Sequence, residues 1–164
     1  MPVNPVALPV EAAAAFAPAL LPVQAALFLF LLLAVSVCDI RSREIPDSLQ
    51  LAIAALPFLY FTPGNLMGIL GALPYLVVAL FFGGANGIGG GDIKLAATTG
   101  AVLGLAASLT ASVLGLAAFT VYGVVCTWIR RLHGQMGKTA FPVGPFLAAG
   151  SAAAYFMKIG GFIL

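Results

Sequence analysis

LLPVQAALFLFLLLAVSVC occupies residues 20–38, and the charged stretch DIRSREIPDS follows at once at 39–48. The uncharged run matches the roughly 20 apolar residues a helix needs to cross a hydrocarbon core of about 30 Å. The residues before it, 1–19, carry no Lys or Arg, so the positive region of a secretory signal is missing. The run also ends in charged residues rather than in a small-residue cleavage site. It reads as a retained membrane helix, with 1–19 as an N-terminal extension.

Further apolar runs follow from this one. LQLAIAALPFLYF (49–61) ends at the turn signal TPGN, and LMGILGALPYLVVALFF fills 66–82. Residues 93–129 carry no charge except Lys94, which is too long for one helix and suits two, with a break expected near Gly104–Ser108. A basic segment, RRLHGQMGK (130–138), precedes a last run at 141–162 that opens with FPVGPF. Pro57 and Pro74 fall inside runs, where a helix bundle tolerates them. The expectation is an all-α integral membrane protein of about six transmembrane helices, with 20–164 as one domain. Composition agrees: 62% of residues are hydrophobic, 7% are charged and the mean hydropathy is +1.13. Soluble domains carry roughly 25% charged residues.

With six spans, segments 39–48, 83–94 and 129–140 share one side. They hold Arg41, Arg43, Lys94, Arg130, Arg131 and Lys138, six of the seven Lys/Arg, and Lys158 falls near the other side. The positive-inside rule puts these segments in the cytoplasm and both termini outside. Several function classes drop out. A net charge of +2 is too small to suggest nucleic acid. Cys38 and Cys126 form no C-x-x-C, and a lone histidine, His133, makes no metal site, so neither a metal nor a cofactor is expected. The glycines miss G-x-G-x-x-G because 92 and 94 are Asp and Lys. Gly137-Lys138-Thr139 misses the phosphate-loop motif because 132 is Leu.

Two aspartates stand out. Asp39 ends the first helix and Asp92 begins the fourth on the same side, so they share one membrane depth. Carboxylates there usually face a bundle interior or a watery cavity. Two close carboxylates do not both ionise readily, which leaves one acid and one base, the pair that activates water against a peptide carbonyl. Gly89, Gly90 and Gly91 before Asp92 are expected to allow positive φ and close backbone approach, so an extended peptide has room. The same residues equally describe a plain loop capped by an acid at a helix N-terminus.

These stretches resemble the type IV prepilin peptidases, the bacterial GxGD-type aspartic proteases. Three segments carry the resemblance: Asp39-Ile-Arg41-Ser-Arg43-Glu-Ile45-Pro46, Gly89-Gly90-Gly91-Asp92-Ile93-Lys94-Leu95, and Phe141-Pro142-Val143-Gly144-Pro145-Phe146-Leu147. It implies a catalytic pair, Asp39 and Asp92. Gly89, Gly91, Lys94 and Pro46 are expected to shape the site, although Lys94 reads equally as a snorkelling interfacial lysine. The resemblance implies a membrane-anchored substrate, a prepilin or pseudopilin whose short basic leader is cut at the cytoplasmic face of the inner membrane, and pilus assembly components as further partners. Larger members carry a cytoplasmic insertion with paired C-x-x-C motifs and also methylate the product. This chain has neither those cysteines nor room for the insertion, and it is similar to the short single-module branch of Flp/Tad pili. A basic leader needs acid to meet it, and Glu44 and Asp47 are available, although Asp47 also reads as the cap of the second helix. Two other readings compete. A presenilin-like or signal-peptide-peptidase-like protease would have Tyr before the first Asp and a Pro-Ala-Leu motif, where this chain has Cys38 and Pro145-Phe146-Leu147. A small proton or cation transporter would hold carboxylates at mid-membrane rather than at helix ends.

Overall fold

Six helical rods take up the six apolar runs. The computed structural model describes residues 7–59, 62–82, 89–133 and 141–163, and every regular element among them is helical. The rods are, in order, α1 (Ala7–Ser42); α2 (Asp47–Ala55), extended by a 3-10 turn at Leu56–Phe58; α3 (Pro63–Leu66), a 3-10 stretch at Met67–Ala72 and α4 (Leu73–Phe82) in line; α5 (Gly90–Leu103); α6 (Leu105–Leu132); and α7 (Gly144–Ile159). Among the described residues, three segments are long and apolar enough to cross a membrane: Leu20–Ser42, Pro63–Phe81 and Leu105–Leu132. α5 and α7 are shorter, at 14 and 16 residues, and so reach about 21–24 Å at ~1.5 Å per residue. Gly83, Gly84, Gly87 and Lys138 lie outside the described residues.

The 3-10 stretch has a local cause. Pro74 has no N–H, so the regular i→i−4 bond to Leu70 cannot form, and the turn tightens as the Leu73 amide donates to the Leu70 carbonyl instead. The expected break in the long uncharged run falls at Gly104, with φ +83 and ψ 170. That combination is open essentially to glycine alone.

One buried stripe runs down α1 through Gln24, Phe28, Leu32, Val35 and Asp39, spaced three to four residues apart. This is the periodicity of one helix face. α5 carries the matching stripe: Asp92, Leu95, Ala96, Thr99, Val102 and Leu103. Each aspartate is the last buried member at its end of its stripe. α5 packs against α2, α3, the 3-10 stretch, α6 and α7, while α1 packs against α2 and α7. Small residues let backbones meet, as is usual between membrane helices. A methyl at Gly68 or at Gly100 would run into the other's carbonyl, and one at Gly150 would meet the backbone of Ala111 and Gly115. Large apolar side chains such as Phe30, Leu33, Leu80, Phe81 and Val113 face outward, each more than 60% exposed. A water-facing surface rarely presents so much apolar area, but a lipid-facing one does.

Candidate functional site

α1 delivers Asp39 on its last turn, and the chain then stops being helical within four residues. Arg43 ends the helix in the left-handed region, φ +55, with its amide donating to the Asp39 carbonyl at 2.9 Å. This closing turn usually takes glycine or asparagine. Ser42 Oγ bonds the carbonyls of Cys38 and Glu44, and fastens the corner. Ile45 and Pro46 lead into α2. Pro46, with φ −59 and ψ 132, occupies the N-cap position, and no side chain caps this end. The expectation that Asp47 caps the second helix is therefore corrected. Pro46 already has the extended geometry of the half-in residue, so the helix begins at Asp47. The freed Asp47 carboxylate instead pairs with Lys94 Nζ at 2.9 Å, across from α2 to α5.

α5 delivers Asp92 in its first turn, with the Asp92 amide donating to the Gly89 carbonyl at 3.0 Å. The expected positive φ at the three glycines is corrected as well. Gly89 has φ −66 and Gly90 and Gly91 start the helix, while the positive-φ glycines among the described residues are Gly104 and Gly161. The strained reversal lies at the far end of α5, not here. What Gly90 leaves is room: a methyl there would meet nothing within 4 Å. Gln50, buried on α2, donates to the Gly91 carbonyl at 3.3 Å and ties the glycine turn to the second rod.

All eight residues expected at the site line one cavity of about 650 Å³: Asp39, Glu44, Pro46, Asp47, Gly89, Gly91, Asp92 and Lys94, joined by Ser42, Arg43, Ile45 and Gly90. A hollow of similar size, about 620 Å³, lies along α6 beside Trp128, but no carboxylate lines it. Within the site cavity, Asp39 and Asp92 are both buried, at 6% and 9% exposed. Asp92 lies outside the three long spans. Burial first, and the charge of Asp39 second, push its carboxyl up from the ordinary 3.8 to about 6, against a backbone hydrogen bond at Gly89. It is therefore mostly ionised at neutral pH, but it takes up a proton at a higher pH than an ordinary carboxyl does. The rim is different. Lys94 and Asp47 are 61% and 79% exposed, so their ion pair adds little stability. Among the described residues, no three His, Cys, Asp or Glu side chains gather to hold a metal ion.

Two site residues had no individual signal in the sequence. Gln50 is one. The other is Gly144, at the start of α7, whose amide donates to Asp39 Oδ2 at 2.8 Å. A methyl on Gly144 would lie 2.7 Å from that same oxygen. The FPVGPF stretch marks a helix entry, but nothing in it points to a partner 105 residues earlier in the chain.

Comparison with known proteins converges on one group. The model of the type IV leader peptidase family matches residues 26–137. A prepilin leader peptidase/N-methyltransferase of Burkholderia pseudomallei is 32% identical over 148 residues, covering 81% of this chain and 46% of that protein. One from Bacillus subtilis is 35% identical over 140 residues, covering 80% of this chain and 54% of that protein. The chain thus spans about half the length of these curated relatives. No solved structure gives a significant match.

Proposed function

Because the chain belongs to the type IV leader peptidase family, we propose that it is a membrane-embedded aspartic endopeptidase that removes the short basic leader of prepilin-like precursors. The observation that carries this reading is the pair of buried carboxylates, Asp39 and Asp92, opening into one cavity. One of them takes a proton from water as it attacks the scissile carbonyl. The other gives a proton to the departing nitrogen. A buried pair is suited to this because proximity and burial make the protonated form of one member easier to reach than it is for an ordinary carboxyl.

The rest of the reading is built around that pair. The cavity lies at the end of the bundle that carries Arg41, Arg43 and Lys94, which by the positive-inside rule is the cytoplasmic face of the inner membrane. An extended leader lies over the open glycines at Gly89–Gly91, while the apolar segment that follows it stays in the bilayer. Glu44 and Asp47 on the rim attract the leader's cations, which compete with Lys94 for Asp47. The substrate is a prepilin or pseudopilin of the Flp/Tad kind, handed on to pilus assembly components. The proposal covers leader removal alone.

Co-expression with a leader-bearing prepilin, read as a gel shift, tests it. Asp39→Asn and Asp92→Asn, each at normal membrane level, are expected to slow cleavage by roughly 10²–10⁴-fold. An Asn variant that still cleaves at the wild-type rate would sink the two-aspartate mechanism. For the rim, reversing the charge of both Glu44 and Asp47 should raise KM for a basic leader; an unchanged KM removes them from leader binding.

A further inference from the structure

The two carboxylates do not stand in equivalent surroundings. Asp39 Oδ2 receives the amide of Gly144, the first residue of α7, at 2.8 Å. A hydrogen bond from a backbone N–H at a helix N-terminus is strongest to an ionised carboxylate. The contact is also tight, because a Cβ at Gly144 would press on the same carboxylate, 2.7 Å from Oδ2, 2.9 Å from Cγ and 3.0 Å from Cβ. The glycine is thus the condition for α7 to bring a donor so close. The other charged groups lining the cavity are Asp92, Arg43, Glu44, Asp47 and Lys94, and of these Asp47 and Lys94 are joined to each other. Asp92 also takes a backbone hydrogen bond, at Gly89, but burial and the charge of Asp39 outweigh it and favour retention of a proton.

Resting on the peptidase reading above, we propose that α7 divides the labour of the pair. Asp39, clamped by the Gly144 amide, is the base; Asp92 is the acid; and Gly144 is a positioning residue that fixes the assignment. Water attacks the scissile carbon as Asp39 takes one of its protons, and the carbonyl π pair moves onto oxygen. The tetrahedral intermediate collapses by breaking the C–N bond, and Asp92 gives its proton to the departing nitrogen. Passage of the proton from Asp39 to Asp92 then resets the pair, with one water consumed.

A change of leaving group separates the two roles. A thiolate leaves without a proton, since a thiol has an ordinary pKa of about 8.5. The enzyme in lipid nanodiscs is given an authentic prepilin and a semisynthetic copy with a thioester at the scissile position, with spontaneous hydrolysis subtracted. Asp92→Asn is expected to lose amide cleavage but to keep thioester cleavage within about tenfold of wild type, while Asp39→Asn loses both, by roughly 10²-fold or more. Gly144→Ala is expected to lower kcat on both substrates about ten- to a hundred-fold, the worth of one charge-assisted hydrogen bond. Its KM should stay unchanged. Gly150→Ala, which clashes with α6 backbone instead, is the packing control: it should lower Tm and leave kcat within about twofold of wild type. The thioester comparison does not depend on any Gly144 variant folding. Thioester cleavage that survives in Asp39→Asn, or that is lost equally in both Asn variants, overturns the division of roles. A wild-type kcat in Gly144→Ala, or the same loss of kcat in Gly150→Ala, overturns the part given to α7. A wild-type enzyme that fails on the authentic prepilin is a separate result, a failure of the peptidase reading itself.

Discussion

The two ends of α5 use the same residue type for opposite purposes. At one end Gly89, Gly90 and Gly91 sit beside a cavity, and Gly90 has open space where a side chain would go. At the other end Gly100 lies against the backbone of Gly68, and Gly104 turns the chain through a conformation that needs no Cβ. The charges differ in the same way. Asp92 at the open end is a buried carboxylate whose burial opposes its ionisation. Lys158 at the closed end donates to the Leu103 carbonyl at 2.7 Å and to Asn65 Oδ1 at 3.1 Å. It satisfies a carbonyl that a helix C-terminus leaves unpaired, and places a cation where the helix dipole favours one. One end is built to hold and the other to leave room. A stable anchor behind a destabilised site is the arrangement expected where function and stability pull apart.

The sharpest way to break this comparison is to make one substitution at both ends. Gly100→Ala is expected to cost more than about 3 kcal/mol, or to prevent folding, because the obstacle is backbone rather than a side chain that can turn away. Gly90→Ala should change Tm little, so any effect of it appears in KM. Equal melting temperatures for the two variants would mean the ends do not differ as described.

Removing the two charges should give smaller effects of opposite sign. The raised pKa means that native Asp92 holds a proton that the unfolded chain has already released, so stability falls as pH rises from 3.8 to about 6. Asp92→Asn is then expected to stabilise the protein at neutral pH by roughly 1–3 kcal/mol, with the gain fading below the ordinary carboxyl pKa. Lys158→Met leaves the Leu103 carbonyl without its donor and should destabilise by about 1–2 kcal/mol at neutral pH. Thermal melts across this pH range read both effects. A gain at Asp92 that is independent of pH would separate it from titration.

Much of this was legible in the residues themselves. The helical rods follow from runs of apolar residues and from charge placed between them, and the break near Gly104 follows from an uncharged stretch too long for one helix. The convergence of Asp39 and Asp92 on one side was legible from topology, while the faces that α1 and α5 bury were not, because these runs are apolar all round. Other features were not legible, for physical reasons. A run of three glycines signals conformational freedom, but here it begins a helix, and the residue that needs positive φ is a lone glycine in an apolar run. Asp47 follows a proline and precedes an apolar run, as a cap would, yet Pro46 already has the capping geometry. Gln50 and Gly144 act on partners 41 and 105 residues away, and no local pattern records a contact of that range.

The Asp39–Gly144 hydrogen bond also has a consequence in time. The chain is made from its N-terminus, so Asp39 is synthesised before the 105 residues that lead to its partner. At about 5–20 residues per second, that interval is roughly 5–20 s. During it α1 stands without the start of α7, and the carboxylate has no amide from that helix to hold it. A nascent chain on the ribosome therefore has α1 in place before the Gly144 amide that holds the Asp39 carboxylate has been made.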